Sequence, residues 1–378
     1  MPDERTLRTA EAAKACGADW AILTSPDAVA YAAQLDTLIE LGPSAFTGAP
    51  PLAIVGSDGT VGVVVTNVDE GFARASAADH VTVYNGLDLH DRTPVESRFA
   101  RAFSDALAAL GVGGTVAVQA ASFPWAAAEL LDAELVAIDA ELWRARMTKT
   151  PAEIERLRWC AHLTDVGQAA ALRTARPGMS ELELWAGIRA AMEAEERARM
   201  PIYSDVTSGI ERTAGVGGFP TDRVIQEGDP ILIDLAPRSH GYWGDSCNTI
   251  VVGEPPAAFD TLYEATEAAV QTALELLRPG ISMGDLDAAM RTATERRGGV
   301  NLIHNGHGIG TGAHESPRVV PGETATVREG MVLMLEPGAY AAGVGGVRLE
   351  WMYLVTATGN EVLSGFPHVQ ALEAAGAA

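Results

Sequence analysis

Cysteine is scarce in this chain. Three occur in 378 residues, Cys16, Cys160 and Cys247. They are odd in number and lack metal-ligand spacing, which excludes a disulfide framework and predicts a reduced, cytoplasmic setting. Basic residues are also few: 27 Lys and Arg stand against 50 Asp and Glu, a formal charge of -23. Such a balance repels nucleic acid and anionic membrane surfaces. No uninterrupted apolar run reaches the ~18 residues of a membrane span, and Met1-Pro2-Asp3-Glu4-Arg5 lacks the basic-then-apolar pattern of a signal peptide. The N-terminal part has neither a glycine-rich phosphate loop nor a nucleophile elbow, so its chemistry is expected to be supportive.

The length allows two domains, each with its own core, and the expected division is 1–145 and 146–378. In the first, a helix from Arg8 to Cys16 precedes a strand from Trp20 to Thr24. Further strands are expected at Leu52–Val55, Val61–Thr66, Val81–Val83 and Val116–Gln119, with a helix at Glu96–Leu110. This alternation predicts an α/β layered domain. The segment Glu40–Pro51 reads as a surface loop, with a substrate-lining loop as the alternative. A break is expected at Arg144–Lys149. Thr150-Pro151-Ala152-Glu153 then carries an N-cap, a first-turn proline and an acid three residues past the cap. Ser180 with Glu183, and Ser282 with Asp285, open later helices by the same device.

Two hairpins in the second domain carry carboxylates behind apolar runs. Ile231-Leu232-Ile233 leads to Asp234, and a turn centred between Ser239 and His240 would bring Asp245 directly opposite, ~4.5 to 5.5 Å away between Cβ atoms. Two charges there would repel by roughly 3 to 4 kcal/mol at an effective dielectric near 20. In the second hairpin, folding about Gly343 places Glu336 opposite Glu350. Buried carboxylates are expected to be paired or metal-bound.

The hairpins belong to an internal repeat. Arg176-Pro177-Gly178-Met179-Ser180 recurs as Arg278-Pro279-Gly280-Ile281-Ser282, and Glu227-Gly228 before Asp234 recurs as Glu329-Gly330 before Glu336. A common spacing for helix start, strand entry and acid predicts a duplicated half with a pseudo-twofold axis that gathers the four acids. His307, in the glycine-dense segment His304-Asn305-Gly306-His307-Gly308-Ile309-Gly310, adds an imidazole. Imidazole with oxygen ligands suits Mn, Co, Zn or Fe, and this much negative charge suits two divalent ions better than one.

In order and spacing, Asp234, Asp245, His307 in Gly-His-Gly-Ile-Gly, Glu336 in Leu-Glu-Pro-Gly and Glu350 in Val-Arg-Leu-Glu resemble the five metal ligands of the pita-bread metallopeptidases of family M24. That family includes methionine aminopeptidase, aminopeptidase P and prolidase. The join Met147-Thr148-Lys149-Thr150-Pro151-Ala152-Glu153-Ile154 is similar to that between a creatinase-type N-terminal domain and a pita-bread domain in the Xaa-Pro branch. The resemblance implies that Asp234 and Asp245 hold one metal and His307 and Glu336 the other, with Asp245 and Glu350 bridging. It further implies a bridging hydroxide that attacks an amide carbonyl, proton transfer by Glu336, substrate contact by His314 and a supporting role for Arg348. Manganese is the first expected ion, and a homodimer the expected assembly.

Two departures bear on substrate. Gly217 stands where the peptidases carry a substrate-binding histidine before the Gly-x-Pro-Thr-Asp pattern of Gly218 to Asp222. Ile303 occupies the position four before His307, with His304 one residue later. His240 is expected to face solvent at its turn, and Tyr242 and Trp243 to line a pocket or pack in the core. Glu211 and Arg212 are candidates to recognise a charged substrate. The leading expectation is a Xaa-Pro dipeptidase or aminopeptidase. A small-molecule hydrolase or lyase similar to creatinase, ectoine hydrolase or dimethylsulfoniopropionate lyase is the alternative, and a non-catalytic binding protein the third reading.

Overall fold

The computed structural model describes residues 2–37, 46–88, 90–215 and 217–372. Residues 40–45 of the predicted Glu40–Pro51 loop therefore lie outside the described residues. The chain divides into two compact units, Met1–Arg146 and Met147–Ala378.

The first unit is built on a sheet of β1 (Trp20–Leu23), β2 (Leu52–Gly56), β3 (Val61–Thr66), β4 (His80–Tyr84), β5 (Thr115–Val118) and β6 (Glu134–Ala137) in the order β4-β3-β2-β1-β5-β6. Ile22, Leu52, Ile54, Val64 and Val116 pack on one face with Phe99 and Phe103 of the Val95–Leu110 helix. Ala21, Leu23, Val55, Val63 and Val65 pack on the other with the Glu4–Ala15 and Pro26–Ala33 helices. Burial on both faces explains why β2 and β3 read as continuous apolar runs. The edge strand β6 is mostly exposed and shows no such run, so the sequence did not reveal it. The boundary between the units, Arg146/Met147, falls within the break expected at Arg144–Lys149, although the helix Asp139–Met147 continues through its first part. No proline or glycine interrupts that stretch, and the effective stop is Thr150-Pro151.

In the second unit the helix Pro151–Thr174 starts with a complete capping box between Thr150 and Glu153, and Glu181–Glu196 with one between Ser180 and Glu183. These helices cover β7 (Ile202–Ser208), β8 (Pro230–Ser239) and β10 (Cys247–Val252); β9 (Tyr242–Trp243) pairs with β8 alone. Helices Ala257–Leu276 and Met283–Arg296 cover the second sheet, whose strands are β11 (Gly306–Gly308), β12 (Glu315–Val319), β13 (Val332–Leu335), β16 (Trp351–Val355) and β17 (Asn360–Val362). The pair β14 (Gly338–Ala341) and β15 (Gly345–Arg348) forms a separate ribbon, and β18 (Ala371–Leu372) joins β10.

The repeat anticipated from the sequence is present in the backbone. Ser180 bridges Val224 as Ser282 bridges Thr326, and Gly178 N donates to Ile225 O as Gly280 N donates to Val327 O. Gly228 and Gly330 both adopt φ of +81° before their strands, a conformation that favours glycine. The cores match in the same way: Leu184, Ile188, Ile225, Ile231 and Ile233 in one half correspond to Leu286, Met290, Val327, Leu333 and Leu335 in the other. The third strand of each half, β7 or β11, went unread. β7 alternates polar residues, and β11 has only three residues, two of them glycine.

Candidate metal centre

Alternation along β8 puts Ile231, Ile233 and Leu235 into the helix-covered core, so Asp234 emerges on the opposite face. Asp245 sits in the interruption between β9 and β10. The predicted register of this hairpin needs correction. Ser239 pairs with Tyr242, so the turn residues are His240 and Gly241, with φ of +48° and +82°. A two-residue turn with both central residues at positive φ matches the twist of the flanking strands. The chain therefore reverses one residue later than expected, and Asp234 faces Cys247 instead of Asp245. In the other hairpin Leu335 pairs with Trp351 and Gly338 with Arg348, which leaves Glu336 opposite Glu350 as expected. Cys247 and Glu350 exchange backbone hydrogen bonds, Glu350 N to Cys247 O at 2.9 Å, and this contact draws the two halves together.

The side chains converge at that junction. His307 Nε2 stands 3.3 Å from Glu336 Oε1 and 3.7 Å from Asp245 Oδ2. Ligand atoms of Asp245, His307 and Glu350 all lie within 4.8 Å of one another. His307 Nδ1 is 2.8 Å from Gly308 O and must donate to that carbonyl, which leaves Nε2 facing the carboxylates. Asp234 is held differently, by the guanidinium of Arg348, which also approaches Asp205 Oδ2 at 3.8 Å. Arg348 thus supports a carboxylate of the centre from beneath, while its backbone N donates to Thr249 Oγ1 at 3.0 Å.

Burial and mutual repulsion set the charges. Burial first, then the neighbouring carboxylates, pushes Asp245 and Glu350 well above the usual carboxylate range. Burial also lifts Asp234, to about 6, against the opposing pull of Arg348. Glu336 is buried too, but contacts from His304 and His307 outweigh that burial and hold it below the usual range. For His307, burial favours the neutral ring, yet Glu336 and Asp245 raise it to about 9. A cation bound among these groups would reverse this pattern, because it stabilises the carboxylates as anions and displaces the His307 proton.

The residues fit divalent metal. Glu350 Oε1 is buried without a hydrogen-bond partner, in a residue that is 2% exposed, and the buried Glu336 Oε1 is met by the His304 and His307 ring nitrogens. Such oxygens are costly unless something electropositive meets them.

His304, displaced by one residue in the sequence, nonetheless arrives: its Nε2 is 2.7 Å from Glu336 Oε1. His314 lies beside His307 with ring centroids 4.4 Å apart and the planes tilted by 40°, and partial burial followed by the charge on His307 lowers it to about 4. His304, His307 and His314 form a second group with ring nitrogens within 4.8 Å. His240 is exposed at its turn, as expected, and Tyr242 is packed in the core with Leu157, Cys160 and Ile309. Trp243, half-buried, packs against the same cluster. Arg212 is engaged elsewhere: it binds the buried Glu181 and donates to Phe219 O at 2.9 Å, bracing the loop after Gly217. Glu211 is exposed. Asp205 was not singled out from the sequence; its only cue was an acid within a strand of uncertain signal.

Residues 155–357 match the description of metallopeptidase family M24. In sequence the chain is 33% identical over 233 residues to the Xaa-Pro dipeptidase of Pyrococcus furiosus, across 61% of this chain and 67% of that one. It is 33% identical over 230 residues to the probable dipeptidase PepE of Mycobacterium tuberculosis, across 60% and 61%. In structure it is similar to a Xaa-Pro dipeptidase from Bacillus anthracis, with a TM-score of 0.82 and 24% identity over 97% of this chain and 99% of that one. It is also similar to dipeptidase PepE from Mycobacterium ulcerans, with a TM-score of 0.79 and 25% identity over 98% and 97%. The chain belongs to metallopeptidase family M24, and its second unit has the pita-bread architecture. No helix among the described residues is long and apolar enough to cross a membrane.

Proposed function

We propose that this protein hydrolyses the amide bond of Xaa-Pro dipeptides or short Xaa-Pro peptides with two divalent metal ions. The observation that carries this is the convergence of Asp245, His307, Glu336 and Glu350, with a buried Glu350 oxygen left without a partner. Relatives named as Xaa-Pro dipeptidases supply the substrate class.

Asp234, Asp245, His307, Glu336 and Glu350 would hold the ions. Bound there, such ions lower the pKa of water toward neutrality and polarise a scissile carbonyl. Arg348 keeps Asp234 in place and offsets part of the surplus negative charge. Glu336, at the meeting point of His304 and His307, is placed to accept a proton and pass it to the leaving nitrogen. His314, neutral near pH 7, lies on the exposed side of His307 and can donate a hydrogen bond to the substrate carbonyl. Manganese is the first ion to supply. Residues 1–145 are read as a creatinase-type N-terminal domain of the Xaa-Pro branch, and a homodimer is the expected assembly.

The test is turnover of a panel of Xaa-Pro dipeptides and tripeptides by stripped protein reloaded with Mn, Co or Zn, with Glu336→Ala as control. Metal-dependent cleavage that disappears in the variant supports the reading. Absence of cleavage with two ions bound per chain overturns it.

A further inference from the structure

One face of β7 leads from solvent to the centre. Tyr203, Asp205 and Thr207 alternate onto that face, and their burial deepens in order. Tyr203 is 55% exposed, the Asp205 side chain 18%, and Thr207 1%. Asp205 pairs with Asp234 on the neighbouring strand, so the row runs beside the metal centre.

The segment Gly217-Gly218-Phe219 lies over this row. A Cβ on Gly217 would stand 2.0 Å from Asp205 Oδ2, and one on Gly218 would stand 3.1 Å from Thr207 Cγ2. No side chain can occupy position 217 while Asp205 keeps this place. The Asp205 carboxylate therefore stands in the ground that a residue-217 side chain would enter. Phe219, 65% exposed, meets the Tyr203 ring edge-on with centroids 5.9 Å apart. The Thr207 hydroxyl is buried and has no hydrogen-bond partner.

A carboxylate that faces Arg348 at 3.8 Å on its inner side, two exposed aromatic rings and an unsatisfied hydroxyl form a recognisable chemistry. Aromatic faces and a carboxylate attract organic cations, and a buried hydroxyl oxygen can accept an N–H. We propose that Tyr203, Asp205, Thr207 and Phe219 form a subsite for an ammonium group on the substrate, in place of the histidine that Gly217 lacks. Arg212 is the positioning residue of this subsite, because it fixes Phe219 through its carbonyl and is itself held by Glu181. The inference deepens the hydrolase reading and rests on it for the reacting centre.

The test is equilibrium binding to the full-length, Mn-loaded protein at constant ionic strength. Tetramethylammonium chloride is compared with tert-butyl alcohol, an uncharged molecule with the same number of heavy atoms in the same tetrahedral arrangement, using ligand-observed NMR. Saturable binding of the cation, at least tenfold tighter than the alcohol and weakened about tenfold in both Asp205→Asn and Tyr203→Ala, supports the subsite. Asp205→Glu should restore part of it. Equal binding of the two probes, or affinity unchanged in both variants, overturns it. Metal content measured in each variant separates loss of the subsite from loss of the centre, and Tyr203→Ala serves as the variant that removes no carboxylate.

Two sources of the cation are then distinguished by binding of glycyl-proline and its N,N,N-trimethyl derivative to the metal-stripped protein, which cannot turn them over. Tighter binding of the first assigns the ammonium to a peptide terminus. Tighter binding of the second assigns it to a quaternary ammonium on a non-peptide amide. If no Xaa-Pro peptide is cleaved while the cation probe still binds through Asp205, the peptidase reading fails and the subsite stands. Cleavage with KM indifferent to Asp205→Asn has the opposite meaning.

Discussion

Lys149 Nζ lies 3.0 Å from Glu315 Oε2, with both side chains only 1% exposed. The backbone N of Lys149 donates to Gly330 O at 2.7 Å, and Glu315 Oε1 accepts from Gly312 N at 2.8 Å. This pair ties the start of the Pro151–Thr174 helix to the loop that carries His314. Removing one partner of a buried ion pair leaves an uncompensated charge and costs about 3–5 kcal/mol. Lys149→Ala or Glu315→Ala should each lower unfolding stability by that order in equilibrium urea titrations. The double substitution Lys149→Ala with Glu315→Ala should cost clearly less than the sum of the two single losses, and a purely additive result would refute the pairing.

The carboxylates of the centre oppose folding when no cation is present. Glu350 is raised by burial and by Asp245, Glu336 and Asp234. Glu350→Gln should therefore leave the stripped protein at least as stable as the parent while reducing its metal content. Adding manganese to the parent should raise its melting temperature, with about 2.7 kcal/mol of stabilisation at a hundredfold excess over Kd. Calorimetry of both proteins with and without metal checks the two signs together.

Gly217 and Asp205 should be energetically coupled. Gly217→Ala puts a methyl 2.0 Å from the Asp205 carboxylate, so the loop or the carboxylate must move. The single variant should lose about 1–3 kcal/mol, as overpacked sites do. Combined with Asp205→Ala, most of that cost should vanish. A double-mutant cycle by thermal unfolding measures the coupling, which a distant pair would not show.

His368 stacks on Trp351 with ring centroids 4.0 Å apart, and burial lowers its pKa to about 3. The unfolded chain, with His near 6.5, takes up this proton before the folded one does. The contribution is fully present above pH 6.5 and is lost as pH falls from there toward 3. Each pH unit in that window costs at most about 1.4 kcal/mol for one proton. His368→Phe should flatten the decline in urea midpoint between pH 7 and pH 5 relative to the parent. Parallel curves would show that His368 titrates alike in the folded and unfolded states.

Much of this protein was determined by local sequence. The capping boxes at Thr150 and Ser180 depend on side chains three residues apart, and they formed where the sequence placed them. The half-repeat was legible because each copy must bury the same helix and strand faces. The second hairpin's register followed from a symmetric spacing about Gly343. Tertiary structure decided the rest, for reasons no short window contains. The first hairpin turned one residue later because His240 and Gly241 both adopt positive φ, which moved Asp245 off the rung of Asp234. His304 reached Glu336 despite its shift along the chain, since separate strands set that 2.7 Å contact. Arg212 found Glu181, thirty-one residues away, and Asp205 occupied the space beside Gly217. Spacing along the chain names the groups that can bind metal; packing between strands decides which of them meet and which space remains for substrate.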